Sequence, residues 1–210
     1  PVWISTTGST YVSNVRASDG ADIPLTEAFR AGTAVALADH TGGVRFGRTN
    51  YDDYMAISMR EAVLRPSDGA QISVSGIRFT LPADLANVRL AVGVYRRGRG
   101  MNQSNGLWGY GGFDYGVYFD TDRKMYVLET KNPDSTNVSQ FMDTYRGPNA
   151  STTMGYWTPG DVFEIRFRGD RVEYMHNNII KVTTTDRLPM IDGRYCMTAR
   201  GISYAAGLSS

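Results

Sequence analysis

The sequence predicts an all-β protein built as a sandwich of two antiparallel sheets. Of its 22 basic residues 19 are arginine, and of its 21 acidic residues 16 are aspartate. Lysine and glutamate favour helix surfaces, so their scarcity argues against a helical protein. The 13 tyrosines and 23 glycines are typical of strands joined by tight turns. Several segments also alternate apolar and polar side chains with a period of two, which indicates half-buried strands.

The clearest strand signal lies in Asp161–Val182, which is predicted to form a three-strand meander. Apolar and charged residues alternate through Phe163–Phe167, and Gly169-Asp170 follows as a two-residue turn of type II′. This turn places Arg166 opposite Glu173 on the solvent side and sets apolar side chains opposite one another on the core side. A slip of one residue would destroy the agreement, so the register is well specified.

The second turn of the meander, at His176-Asn177-Asn178, has two possible lengths. A two-residue loop would put Tyr174 opposite Lys181 and leave Ile180 facing solvent. A three-residue loop, with Asn178 in the left-handed region, pairs Tyr174 with Ile180 instead. The three-residue loop is preferred because it keeps the apolar side chains on one face.

Other segments supply the remaining strands of the predicted sandwich. They are Ile72–Thr80, Val88–Tyr95, Tyr115–Phe119, Met125–Glu129 and Arg194–Thr198. The segment Tyr54–Leu64 is ambiguous, because its Ala, Met and Glu residues favour a helix while its surroundings favour a strand. It is assigned as a strand. A polar turn is expected at Asp120–Lys124, and Cys196 is expected to be an ordinary buried thiol.

The domain organisation is predicted from the chain length and from the lack of repeats and linkers. A chain of 210 residues suits one all-β domain, and no repeat or linker divides it. Residues 51–210 are predicted to form the sandwich, and residues 1–50 an N-terminal segment that is either an adaptor or edge strands of the same domain. The net charge of +1 argues against nucleic-acid binding. No apolar stretch approaches the ~20 residues needed for membrane insertion.

The run YWTPGDVFEIRFRGDRVEYMHNNIIKV carries a pattern of turns and strands. Its marked positions are Trp157, Gly160, Asp161, Val172, Tyr174 and Asn177. The pattern resembles concanavalin A-like sandwich domains, in which Asn178 is more often a glycine. The resemblance covers roughly residue 88 to the C-terminus and implies a concanavalin A-like jelly roll. Such domains occur in lectins, SPRY-like adaptor modules and glucanases, and near the ends of bacteriophage tail fibres and host-specificity proteins. The composition looks most like the phage setting.

No catalytic residue and no metal ligand is predicted. Glucanases of this fold carry a Glu-x-Asp-x-x-Glu strand motif, which this sequence lacks. Glu164 and Glu173 are interpreted as solvated strand charges, and His176 as a residue of a hairpin loop. No cofactor is predicted. Calcium is the one alternative, because Asp52-Asp53 and Asp120-x-Asp122 supply oxygen ligands, although neither has the spacing of an EF-hand.

The Gly-rich connection Tyr95–Tyr118 is the main candidate for ligand binding, with a second candidate near residue 51. Long loops in compact domains are often functional, and glycan recognition needs aromatic faces beside amide and carboxylate groups. The alternative is that the aromatic residues pack the loop onto the sheet. The predicted binding residues are Trp108, Tyr110, Tyr115, Asp114, Arg96, Arg97, Asn102, Asn105, Tyr51 and Asp52.

These features lead to the hypothesis of a non-enzymatic recognition domain of a phage or viral appendage. The expected partners are a host cell-surface glycan or receptor, other virion proteins, and further copies of the chain in a homo-oligomer. The expected location is the virion, outside the cell. Two alternatives stay open: a structural virion protein that only joins its neighbours, and a carbohydrate-active enzyme on the same fold.

Overall fold

A computed structural model of the chain describes fourteen stretches of backbone. They are residues 2–4, 9–13, 16–17, 25–30, 39–40, 43–47, 53–68, 76–80, 88–96, 113–120, 122–130, 144–146, 153–158 and 160–203. Every regular element in these stretches is a β-strand. Side chains are described in 62–68, 76–79, 91–96, 113–120, 122–129, 153–158 and 160–197.

The strands form three antiparallel sheets. The five-stranded sheet contains β3 (Arg16–Ala17), β8 (Gly76–Thr80), β14 (Val162–Phe167), β15 (Val172–His176) and β16 (Ile179–Thr184). The eight-stranded sheet contains β4 (Leu25–Arg30), β7 (Asp53–Val63), β9 (Val88–Arg96), β10 (Tyr115–Phe119), β11 (Lys124–Thr130), β12 (Thr144–Arg146), β13 (Thr153–Tyr156) and β17 (Arg194–Ser203). A four-stranded sheet contains β1 (Val2–Ile4), β2 (Ser9–Ser13), β5 (Asp39–His40) and β6 (Gly43–Gly47).

The five-stranded and eight-stranded sheets pack face to face around one apolar core. Phe79 and Phe163 of the smaller sheet meet Phe119 of the larger sheet, with ring centroids 5.9 and 4.8 Å apart. Such edge-on aromatic pairs add to the stabilisation from burial. Alternate residues of β8, β9, β10, β11, β14 and β15 enter this core, so the predicted sandwich of two antiparallel sheets is confirmed.

Strands from near the two ends of the chain belong to the five-stranded and eight-stranded sheets. Strand β17 lies between β9 and β7 in the interior of the larger sheet, while β3 and β4 pair with β8 and β7. The pairing of β7 with β17 and β4 confirms a strand where the sequence also allowed a helix. The proposed division of the chain near residue 50 stays a prediction.

The hairpin of β14 and β15 has the predicted register but not the predicted turn type. Arg166 lies opposite Glu173, and the backbone N–H of Arg168 donates to the carbonyl of Arg171 at 2.8 Å. Gly169 does not take the positive φ that a type II′ turn requires at its first central position. The apolar and charged pairs across the strands therefore fixed the register without that turn.

The second hairpin has a two-residue turn, so the predicted three-residue loop was wrong. Asn177 and Asn178, with φ of 50° and 64°, form a two-residue turn, so His176 is the last residue of β15 rather than part of the loop. A β-bulge follows, and the register shifts so that Tyr174 faces Val182. The extra residue turns Val182 back toward the core, which a regular two-residue hairpin could not do.

Two glutamates predicted as solvated charges are buried. Glu164 and Glu173 lie on the outward face of the five-stranded sheet, but only 5 and 3% of their surfaces are exposed. Arginine side chains pair with both carboxylates. The long guanidinium-bearing side chains cover the shorter carboxylates, so a position on the outer face of a strand does not by itself imply hydration.

Candidate functional site

Most of the predicted binding residues lie outside the described part of the chain. They are Trp108, Tyr110, Arg97, Asn102, Asn105, Tyr51 and Asp52. Their roles stay predictions. The structure does describe the two ends of the long connection, at Arg96 and at Phe113–Tyr115, and the sheet surface beside it.

Tyr115 and Asp114 are buried, and their assignment as ligand contacts stays a prediction. Tyr115 is fully buried between the sheets, with its ring 5.5 Å from that of Phe167. The Asp114 carboxylate accepts the backbone N–H of Arg96 at 2.5 Å, and its own N–H donates to the carbonyl of Val94. The Arg96 side chain is partly buried against the sulfur of Met190. These three residues close the base of the loop.

Phe113 packs the end of the loop onto the outward face of the eight-stranded sheet. Gly93 and Gly116 lie side by side on β9 and β10, and a Cβ atom on Gly116 would come within 3.1 Å of the Phe113 ring. The two glycines therefore leave the space that the ring occupies. Ala91, Tyr118 and Leu128 join Phe113 in a small apolar cluster on this face, separate from the main core.

Beyond this cluster, the same face carries a group of exposed and partly buried aromatic and charged residues. Strand β13 pairs with β11 so that Tyr156 lies opposite Lys124, and Tyr126 stands two residues further along β11. Tyr126 packs on Tyr118 with ring centroids 6.2 Å apart. Tyr156 is 66% exposed. Asp122, Lys124, Tyr126 and Tyr156 are called the tyrosine patch below.

The charged pair of the tyrosine patch is held in a defined position. The Lys124 ammonium lies 2.7 Å from one Asp122 oxygen, and the other accepts the Lys124 backbone N–H at 3.0 Å. The hydrogen bond to Lys124 lowers the pKa of Asp122, and the same bond raises the pKa of Lys124. Burial raises the pKa of Tyr126, with Lys124 opposing the rise, so its phenol stays protonated at neutral pH.

Local backbone geometry explains why Tyr156 points outward. Gly155, with φ of +98°, precedes it, and Trp157 follows with its ring buried in the main core. The Trp157 ring packs edge-on against Phe119. Its backbone N–H donates to the carbonyl oxygen of Arg123 at 3.0 Å, and the Arg123 guanidinium lies 5.1 Å from the centre of the Trp157 ring. Anchoring one aromatic inward directs its neighbour on the strand to the opposite face.

Two carboxylates of the described strands and turns serve structural contacts. Glu129 is buried between the sheets. Its carboxylate accepts hydrogen bonds from the hydroxyl groups of Tyr174 at 2.8 Å and Thr184 at 2.7 Å. Asp161 bonds to His176 at 2.7 Å and to Asn177 at 2.8 Å. These contacts connect strands and turns.

The described residues also contain no metal cluster and no helix suited to a membrane. No group of three or more His, Cys, Asp or Glu side chains among them could hold a metal ion. Asp122 is bound to Lys124 within the polar turn that the sequence predicted at Asp120–Lys124. Calcium binding stays untested. No helix in the described stretches is long and apolar enough to cross a bilayer.

Tyr126 and Tyr156 lie on the outward face but are not among the predicted binding residues. Tyr126 could have been found, because it alternates with Met125 and Val127 in a segment recognised as a strand, and so faces away from the core. Tyr156 had no such signal, because β13 is short and pairs with β11 from a distant part of the sequence. The shared face arises only from that pairing.

Comparisons with known proteins give structural neighbours only. No family model matches the chain, and no curated protein matches it. The Emp46p carbohydrate recognition domain in its potassium-bound form has 10% identity and a TM-score of 0.49, with 86% of this chain and 81% of that chain covered. A Bacillus licheniformis β-glucanase has 10% identity and a TM-score of 0.43, covering 97% and 90%.

A carbohydrate binding module from Bacillus subtilis has 11% identity and a TM-score of 0.41, covering 87% of this chain and 94% of that one. At such low identity and TM-score, these similarities assign neither a ligand nor an activity to this chain.

Proposed function

We propose that this chain is a non-enzymatic recognition domain that binds a glycan on the outward face of its eight-stranded sheet. The observation that carries the proposal is the tyrosine patch, where an exposed aromatic ring stands beside a fixed Lys124–Asp122 pair. An aromatic face contacts the apolar C–H surface of a sugar, while ammonium and carboxylate groups bond to its hydroxyls.

The position of the tyrosine patch supports an extended site rather than a single subsite. Tyr118 and Gly116 are successive outward positions of β10, about 7 Å apart. The patch therefore lies roughly two such steps from Phe113, where the long connection returns to the sheet. A chain of a few sugar units spans that length.

We further propose that the domain belongs to a phage tail fibre or related viral appendage, and attaches the virion to a host surface glycan or receptor. The composition and the sequence resemblance support this setting. Several copies in a homo-oligomer would strengthen weak single sites through a high effective concentration.

A structural virion role is the second candidate, and one observation favours it. Ile179 and Ile180 are exposed at the start of β16, which is an edge strand of the five-stranded sheet in the described part of the chain. Apolar side chains at a sheet edge are suited to contacts with a neighbouring subunit. The enzyme alternative has no comparable support among the described residues.

The test is binding of the full chain to a broad panel of surface glycans, with Tyr156→Ala and Trp108→Ala beside the wild type. We expect specific binding that weakens roughly tenfold in each variant, which corresponds to losing about 1.4 kcal/mol. The melting temperature of Tyr156→Ala should be unchanged, because the side chain is exposed. Ile191→Ala, another exposed apolar position, is the control and should bind normally.

Two outcomes would reject this proposal. Well-folded protein that binds no glycan, but self-assembles, would favour the structural role. Release of reducing sugar from a bound glycan would establish an enzyme.

A further inference from the structure

We infer that the tyrosine patch selects a neutral glycan, and that Lys124 and Asp122 together bind two adjacent hydroxyl groups of its sugar ring. The inference rests on the glycan binding proposed above and names the class of ligand that this site takes. Three features carry it: the hydrogen-bonding capacity that the charged pair leaves unused, the apolar rings beside the pair, and the balance of charge around the patch.

The Lys124–Asp122 pair keeps free hydrogen-bonding capacity at the surface. The two side chains are 39 and 48% exposed, and the ammonium lies 2.7 Å from one carboxylate oxygen. The other oxygen accepts the backbone N–H of Lys124 at 3.0 Å. An ammonium offers N–H donors in several directions, and each carboxylate oxygen accepts more than one hydrogen bond. Donors and acceptors therefore remain side by side for a ligand.

Two adjacent ring hydroxyls match this arrangement. Each hydroxyl both donates and accepts, so one accepts a hydrogen bond from the ammonium while its neighbour donates to the carboxylate. The oxygens of adjacent hydroxyls in a gauche arrangement lie about one hydrogen-bond length apart, which is also the separation of the two charged groups. Because one partner in each contact is charged, these hydrogen bonds are stronger than those between neutral groups.

The turn that carries the pair is fixed before a ligand arrives. The backbone N–H of Asp120 donates to the carbonyl of Lys124 at 2.9 Å, and the Asp122 side chain closes the turn from within. Between them, Arg123 has a φ of 65°, and its carbonyl accepts the backbone N–H of Trp157. A turn fixed in this way loses little freedom when its side chains bind a ligand.

Two tyrosines place apolar rings next to the charged pair. Tyr156 lies opposite Lys124 in the pairing of β13 with β11, and Tyr126 follows on the same face of β11. Asp122 contributes most to the raised pKa of Lys124, and the phenols of both tyrosines contribute further, so the ammonium is close to both phenols. A sugar whose hydroxyl edge meets the ion pair can therefore set its C–H face against the exposed Tyr156 ring.

The charges around the tyrosine patch cancel. The turn carries two carboxylates, at Asp120 and Asp122, and two cations, at Arg123 and Lys124. The Arg123 guanidinium lies over the Trp157 ring. An anionic sugar would lose hydration at this surface without meeting a net positive charge, whereas a neutral sugar has no charge to desolvate. The patch therefore favours neutral sugars over acidic ones.

The experiment measures binding of the full chain to matched pairs of oligosaccharides. The probes are oligosaccharides of glucose, galactose and mannose, linked so that two adjacent ring hydroxyls stay free, each beside its uronic-acid counterpart of the same linkage. We expect the neutral member of a bound pair to bind at least about tenfold more tightly than the acidic one. Its binding should depend little on salt, because no net charge is paired. Methylation of one of the two adjacent hydroxyls should weaken it.

Substitutions in the charged pair separate hydroxyl recognition from stacking on the ring alone. Asp122→Asn and Lys124→Gln should each weaken binding of the neutral oligosaccharide about tenfold. Their melting temperatures should match the wild type, because exposed ion pairs contribute little to stability. The matched control is Asp170→Asn, which removes an exposed carboxylate paired with Arg171 at the turn between β14 and β15, and it should bind normally.

The results distinguish this inference from the proposed function. Equal or tighter binding of the uronic-acid oligosaccharides would overturn the neutral selection while leaving glycan recognition intact. Wild-type affinity in both Asp122→Asn and Lys124→Gln, beside a loss in Tyr156→Ala, would show that the ring alone binds and would overturn it too. If the chain binds no glycan of either kind, the proposed function fails and this inference fails with it.

Discussion

Asp161 joins a turn to two strands through its side chain. Its two oxygens accept the backbone N–H of Thr158 at 2.6 Å and the side-chain N–H of Asn177 at 2.8 Å, and one lies 2.7 Å from His176. Burial would raise the pKa of Asp161, but the hydrogen bonds from Asn177, Thr158 and His176 outweigh it and lower the pKa to about 2. Folding thus favours the ionised carboxylate.

A lowered pKa in the folded state has a definite consequence for acid stability. The carboxylate stabilises the protein above its ordinary pKa near 3.8, and this contribution disappears as the pH falls through about 2. We expect Asp161→Asn to lower the free energy of unfolding by about 1–2 kcal/mol at pH 7, after allowance for partial solvation. Urea unfolding at pH 7 and pH 2 should show the difference narrowing in acid. A difference of constant size would contradict this account, and exposed Asp170→Asn is the control.

Glu129 provides a second residue-level test, inside the core. Its carboxylate bridges the sheets by accepting hydrogen bonds from the hydroxyl groups of Tyr174 and Thr184. Removing one donor from a buried acceptor costs about 1–3 kcal/mol. We therefore expect Tyr174→Phe to lower the free energy of unfolding by that amount, and Tyr156→Phe, whose hydroxyl is on an exposed side chain, to change it by less than about 0.5 kcal/mol. Equal effects in chemical denaturation would argue against the Glu129 bridge.

At the scale of elements, the hairpin of β15 and β16 depends on two asparagines with different tasks. Asn177 bonds through its side chain to Asp161 and to the backbone N–H of Val162, whereas Asn178 accepts one exposed bond from Arg78. Both residues have positive φ, which glycine adopts readily. Replacement by glycine therefore preserves the turn and removes only the side-chain contacts.

We expect the two glycine variants of this turn to differ in stability. Asn177→Gly should cost about 1–2 kcal/mol, because a polar network loses its central member. Asn178→Gly should lie within about 0.5 kcal/mol of the wild type, because relief of backbone strain offsets one exposed hydrogen bond. Thermal and urea unfolding of both proteins test this difference. A larger loss in Asn178→Gly would show that the Arg78 contact matters more than the Asp161 network.

The same hairpins show how far sequence reasoning reaches. The register of β14 and β15 was predictable because apolar and opposite-charge pairs agree in only one alignment. The second turn was not, because the bulge after Asn178 lets a two-residue turn and an inward Val182 coexist. The sequence shows where apolar and polar residues alternate. The extra residue of a β-bulge shifts that alternation and leaves no distinct local signal in the sequence.

The candidate site was less predictable than the strands. The sequence located the connection whose ends the structure places beside the outward face, but it assigned Tyr115 and Asp114 to ligand contact when both are buried. An aromatic residue at the end of a Gly-rich loop has the same sequence appearance whether it faces a ligand or a core. The tyrosine patch requires β13 to pair with β11, and that pairing joins segments with no shared sequence signal.

At the scale of the whole molecule, the sandwich depends on its last strand. Strand β17 pairs with β7 along one side and with β9 along the other, and its Tyr195, Cys196 and Met197 are buried. The prediction that Cys196 is a buried thiol is confirmed. The central pairings of the larger sheet therefore join segments that are distant in sequence, and they cannot form until the C-terminal part of the chain is present.

Deletion of residues 194–210 should consequently abolish cooperative folding. The truncated chain would expose facing edges of β7 and β9 and lose buried side chains from both faces of the larger sheet. Deletion of residues 1–13 is the matched control, because it removes β1 and β2, which pair only within the four-stranded sheet in the described structure. We expect near-UV circular dichroism and a sharp urea transition to survive the N-terminal deletion and to vanish with the C-terminal one. If the chain without β17 still unfolds cooperatively, β7 and β9 must close the sheet without it, and the central position of β17 would not be what stabilises the molecule.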